Sequence, residues 1–105
     1  MPMPIEIPTL AGTMHELAGR GFTEHFIMVN ETLRGVDSKM MFSADEVTVA
    51  EYHRFEGASD PDDMAILYAV QTRSGARGTL ADAFGIYADP RVGDFMREVM
   101  AHPRG

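Results

Sequence analysis

Asp82 is the first residue in this chain that could do chemistry. It sits in the run Leu80-Ala81-Asp82-Ala83-Phe84, a pattern that reads as an apolar strand. A carboxylate in such a place must be paired, hydrogen-bonded or held protonated. The preceding strand-like segment, Glu46 to Glu56, would bring either His53 or Arg54 across from it. A one-residue slip decides which, because successive strand residues face opposite ways. With His53 on the Asp82 face, Glu51 and Phe55 join it; with Arg54, Tyr52 and Glu56 join it. Tyr87 continues the Asp82 segment and completes the candidate set. Such a cluster would bind a small polar ligand or do acid–base work. The blander and commoner reading is an ion pair that fixes strand register, since structural pairs perturb carboxylates as strongly as catalytic ones.

The remaining chemistry-bearing residues are sparser. Asp60, Asp62 and Asp63 put three carboxylates in four residues, and oxygen donors suit a hard cation. Pro61 already accounts for the segment as a turn, so the metal reading is weak. The four histidines, His15, His25, His53 and His102, lack the i, i+4 helical spacing of a zinc site. No nucleophile elbow, phosphate loop or dinucleotide fingerprint is present. The residues call for no cofactor and assign no catalytic group.

These side chains need elements to hold them. Pro2, Pro4 and Pro8 favour an extended arm over residues 1–8. Thr9 can cap a helix over residues 10–20, with Gly21 as a left-handed stop and Phe22 packing back. Glu24 to Val29 reads as a strand, Asn30-Glu31 as its turn, and Thr32 to Arg34 as its return. Ser43 to Glu46 matches a capping box. A meander follows: residues 46–56, 64–72 and 76–89. Ser74-Gly75 suits a two-residue hairpin loop. That loop would set Val70 opposite Thr79, Tyr68 opposite Ala81 and Ile66 opposite Ala83, and leave Asp82 beside Leu67. Asp89-Pro90 is a strong helix start, and Val92, Phe95, Met96, Val99 and Met100 form its apolar stripe. The expected fold is α+β in one domain of 105 residues: an antiparallel meander sheet with both helices on one face. Strand 64–72 is apolar on both sides, so a second face would stay open and would mark a homodimer or higher oligomer, the blander alternative being that the N-terminal arm and Met40 to Phe42 fold over it.

Composition narrows the partners. The net charge is −7, with 16 acidic against 9 basic side chains and one lysine, Lys39. That opposes nucleic acid and anionic membranes, because phosphate binding needs clustered cations. There is no cysteine, no leader-like start and no membrane-length apolar run. A cytoplasmic protein is the expectation.

Most of the chain also resembles a family of small bacterial proteins about 100 residues long. The resemblance rests on Gly21-Phe22-Thr23, Tyr52-His53-Arg54-Phe55-Glu56-Gly57, Ser59-Asp60-Pro61-Asp62-Asp63, Leu67-Tyr68-Ala69, Gly78 and Asp82-Ala83-Phe84-Gly85-Ile86-Tyr87. It implies no established activity. Some members are labelled phosphoribosylpyrophosphate synthetase, a label these residues do not support. Enzymes that bind that compound use an acidic pair followed by a Thr-Gly loop. Leu80 to Gly85 offers one acid and no such loop. The expected function is a small binding or protein-interaction domain, homodimeric, with a possible small polar ligand. The alternative is a small-molecule enzyme with its site around His53 or Arg54 and Asp82.

Overall fold

The computed structural model describes residues 9–55, 65–83 and 89–101. Helix α1 (Leu10–Gly19) begins at Thr9, whose hydroxyl accepts the Gly12 N–H at 3.0 Å. It ends where the Phe22 N–H reaches the Leu17 carbonyl at 2.9 Å and the Gly21 N–H reaches Ala18 at 3.1 Å. Gly21 supplies the positive φ of 101° that this closure requires. Both ends of the helix follow the local sequence signals.

Among the described residues six strands form one sheet in the order β3-β2-β1-β6-β5-β4. They are β1 (Glu24–Val29), β2 (Thr32–Gly35), β3 (Met41–Phe42), β4 (Val47–Phe55), β5 (Ala65–Thr72) and β6 (Arg77–Ala83). The capping box at Ser43 does form, and drives a single 3-10 turn at Ala44–Glu46 just before β4. Helix α2 (Pro90–Ala101) closes the described chain, with the Arg91 N–H on the Asp89 carboxylate at 2.9 Å. No described helix is long and apolar enough to cross a membrane.

The α+β class holds, but the sheet is mixed rather than purely antiparallel. Two antiparallel units, β1-β2-β3 and β4-β5-β6, are joined by parallel pairing of β1 with β6. At that joint Glu24 lies beside Gly78. A Cβ on Gly78 would sit 2.0 Å from the Glu24 carbonyl oxygen, so only glycine lets the two backbones approach this closely. The close approach is long-range, and no local signal announces it.

The hairpin register is the second correction. β5 and β6 pair Val70 with Gly78, Tyr68 with Leu80, Leu67 with Ala81 and Ile66 with Asp82. That is one residue away from the register a Ser74-Gly75 loop would give. The loop has three residues instead of two. Thr72 donates to the Ala76 carbonyl at 2.8 Å, and the Gly75 N–H closes a tight turn on Thr72 at 3.0 Å. Gly75 then takes a φ of 100°, the left-handed residue that follows such a turn in three-residue hairpins. The Thr72 hydroxyl also accepts the Ala76 N–H at 3.1 Å.

The third correction concerns the helices. Leu17 and Phe22 cluster with Leu67 and Ala69, whereas Val92, Phe95, Met96 and Val99 cluster with Val70 and Leu80. Consecutive strand residues point to opposite sides. The two helices therefore cover opposite faces of β5, not one. Leu67, Ala69 and Val70 are fully buried as a result. The open apolar face expected on this strand is closed by α1. Small residues make that possible: Ala65, Ala69, Ala81 and Ala83 share the α1 face. A smaller apolar strip remains exposed on that same face, where Ile27 (45% exposed) and Met41 (49%) flank Arg34 across β1, β2 and β3.

The glycine joint gives a direct test. Gly78→Ala should lower unfolding stability in urea by about 3 kcal/mol or prevent folding, the cost of forcing atoms into a filled site. Ala→Gly changes at exposed Ala50 should not.

Candidate functional site

Three of the candidate residues fall in the described part of the chain: His53, Arg54 and Asp82. Glu56, Tyr87 and the weak metal candidates Asp60, Asp62 and Asp63 lie outside it. Among the described residues no group of three His, Cys, Asp or Glu side chains could hold a metal ion.

The register decides between His53 and Arg54. Arg54 pairs with Ile66, which pairs with Asp82, so these three share one face. Tyr52 and Tyr68 pair on that same face, with ring centroids 6.3 Å apart and planes tilted by 46°. His53 points the other way, toward α1. The arrangement with Arg54 and Tyr52 beside Asp82 is therefore the one that forms.

A bulge sets this up. Between Val49 and Glu51 the β4 pairing slips by one residue. Before it, Val47 and Val49 lie on the α2 side, against the main core. After it, Tyr52 and Arg54 take over that side. An unbroken alternation would have sent them to the α1 face.

Asp82 is occupied in holding the chain. Its Oδ1 accepts the Ala83 N–H at 2.8 Å and the Asp89 N–H at 3.1 Å, and Oδ2 lies 3.3 Å from the same Asp89 nitrogen. Asp89 in turn caps α2 and pairs with Arg91 at 3.2 Å. Arg91 holds the Asp89 carboxyl below its ordinary range, by side-chain and backbone hydrogen bonds. Asp82 thus ties the start of α2 to the end of β6. Its charge reaches Tyr68 as well. Burial pushes the Tyr68 phenol above its usual value, and the nearby Asp82 charge adds to that.

His53 belongs to a different group on the α1 side. Arg20 donates to the Glu51 carboxylate at 2.7 Å, and His53 Nε2 lies 3.4 Å from the same oxygen. The hydrogen bond from Arg20 is the main force that holds Glu51 below the usual carboxylate range. This network, which the sequence does not advertise, links the end of α1 to β4.

Three concavities bounded by described residues lie away from Asp82. One is lined by Glu46, Thr48, Gln71 and Arg73, one by Glu31, Arg91, Asp94 and Glu98, and the largest sits at the end of the sheet beside Glu24 and Arg77. None of the three includes His53, Arg54 or Asp82. Comparison with protein-family models, with curated proteins and with solved structures finds no match.

Two measurements follow from these contacts. Asp82→Ala should cost about 2 kcal/mol of stability, because two backbone N–H groups lose a charged acceptor. The Glu51 contribution should depend on pH. Its folded pKa is depressed, so the stabilisation is complete above the unfolded value and is lost as pH falls through the folded one. The difference in Tm between the native chain and Glu51→Gln should be present at neutral pH and vanish in strong acid.

Proposed function

We propose that this chain is a small cytoplasmic binding module that acts through the outer edge of β4, and that a second copy of the chain docks there. The observation that carries the proposal is the position and content of β4. It is a nine-residue strand at one edge of the sheet, and Tyr52 on it is 51% exposed. Exposed sheet edges are templates for pairing with another strand. Tyrosine and arginine are the residues most often found at the energetic centre of protein interfaces.

The bulge limits the docking segment. It bends the strand near Ala50 and leaves Glu51 to Phe55 as the regular part. That segment is self-complementary. A two-fold axis through Tyr52 sets each Glu51 opposite the partner's His53, and each Tyr52 opposite its own copy. The opposite edge of the sheet is β3, only two residues long, which offers little to pair with. About that axis only Glu51, Tyr52 and His53 of the regular part pair with one another, a small contact, so the association is weak.

The enzymatic alternative draws less support. An acid or base at Asp82 would have to give up the backbone hydrogen bonds that seat α2. The phosphoribosyl pyrophosphate label draws none from the residues of β6.

Sedimentation equilibrium from micromolar to millimolar concentration tests the proposal. A monomer–dimer equilibrium is expected. Tyr52→Lys places like charges opposite each other and should shift it to monomer. Met41→Lys, on the apolar strip of the far edge, should leave it unchanged. A native chain that stays monomeric throughout, or a dimer that Met41→Lys breaks and Tyr52→Lys does not, would overturn the reading.

A further inference from the structure

The largest of the three concavities, about 650 Å³, opens at the end of the sheet. Three connections build its walls: the α1–β1 link, the β2–β3 loop and the β5–β6 hairpin. Its lining carries charge of both signs, with Arg77 on one side and Glu24 and Asp37 on the other.

Arg77 is held by stacking on an aromatic ring. Its guanidinium carbon stands 4.4 Å from the centroid of the Phe22 ring. Phe22 is buried, so the platform is fixed. Gly21 makes room for the stack, since a Cβ there would come within 3.0 Å of the Arg77 Nη1 atom. Among the described residues no carboxylate forms a salt bridge with Arg77, unlike Arg20, Arg91 and Arg97. A stacked guanidinium keeps its N–H edge free, and that edge matches a carboxylate in a two-point fork.

The opposite wall is anionic and equally well set. Glu24 accepts the Ser38 N–H at 3.1 Å and the His25 N–H at 3.3 Å. Burial works to raise its pKa, but hydrogen bonds from Ser38, Asp37 and His25 outweigh that and keep the carboxyl below its usual range. Gly35 leaves the space this carboxylate fills, because a Cβ there would lie 2.4 Å from Glu24 Oε2. Asp37 stands exposed beside it on the rim.

We infer that this cleft is a second binding site, separate from the β4 edge, and that it takes a small zwitterion bearing an ammonium and a carboxylate. Arg77 receives the carboxylate. Glu24 and Asp37 receive the ammonium, and Thr23 and Ser38 also line the concavity. The two acids disfavour a phosphate or a polyanion at the same place. A simple cation would leave Arg77 unanswered.

Amide NMR titrations of the whole chain test this. The probes are glycine, β-alanine and γ-aminobutyrate, whose charges are progressively further apart, with acetate and methylammonium carrying each end alone. At least one zwitterion should shift the amides of Thr23, Ser38 and Ala76 at millimolar concentration, and should bind more tightly than either single-charge probe. Arg77→Gln and Asp37→Asn, both at exposed side chains, should each weaken that binding. The arginine change should weaken it about tenfold, the loss of one charge-assisted pair. No shift with any zwitterion, acetate binding as well as the best of them, or unchanged binding in both variants would overturn the inference.

Discussion

Glu24 meeting Gly78 is the contact on which the rest of the sheet depends. Two antiparallel units become one sheet only because β1 and β6 run side by side there. Backbone contact this tight excludes any side chain on Gly78. The same glutamate then turns its carboxylate into the space left by Gly35 and binds the β2–β3 loop. One residue therefore fixes a strand junction and a loop at once. With the junction made, the core can form across it: Phe26 and Leu33 of the first unit bury against Val70 and Leu80 of the second, under α2.

The two helices are tied to the sheet in similar ways. Each has an apolar stripe that supplies most of the burial, and each has a polar tether that sets its position. For α2 the tether is Asp82, which holds Asp89 by its N–H. For α1 it is Arg20, which reaches Glu51 on β4. A buried stripe alone leaves a helix free to slide along its groove. A directional hydrogen bond at one end removes that freedom. Asp82 earns its place in an apolar strand by this positioning role.

Much of this was legible in the chain, and the division follows the range of the forces involved. Local signals worked where a few neighbouring residues decide the outcome. Thr9, Gly21, Ser43 and Asp89 each start or stop an element as their side chains and backbone freedom require. The strand segments were visible from their β-branched and aromatic residues. Register was harder. Ser74-Gly75 reads as a two-residue loop, yet Gly75 can also serve as the last residue of a three-residue one, and the second choice moves Asp82 to the other side of β6 relative to β5. The parallel junction and the split of the helices between two faces depend on residues far apart in the chain, which periodicity does not report. Of the site, the grouping of Asp82 with Tyr52 and Arg54 was one of two open readings. The Arg20–Glu51–His53 network and the cleft at Arg77 were not anticipated, since both arise from loops and helix ends brought together by the fold.

The bulge in β4 has a bearing on how this strand tolerates change. It works as a phase shift: the strand is read in one frame as far as Val49 and in the other from Glu51 onward. Loss of Ala50 would therefore remove the bulge and leave every other residue on its present face, because Val49 and Glu51 already pair with the neighbouring residues Val70 and Ala69. Loss of a residue beyond the bulge, such as His53, would be absorbed only by turning Tyr52 under α1 and Glu51 toward Tyr68. Single-residue deletions in related chains should accordingly gather at Ala50 and avoid Glu51 to Phe55.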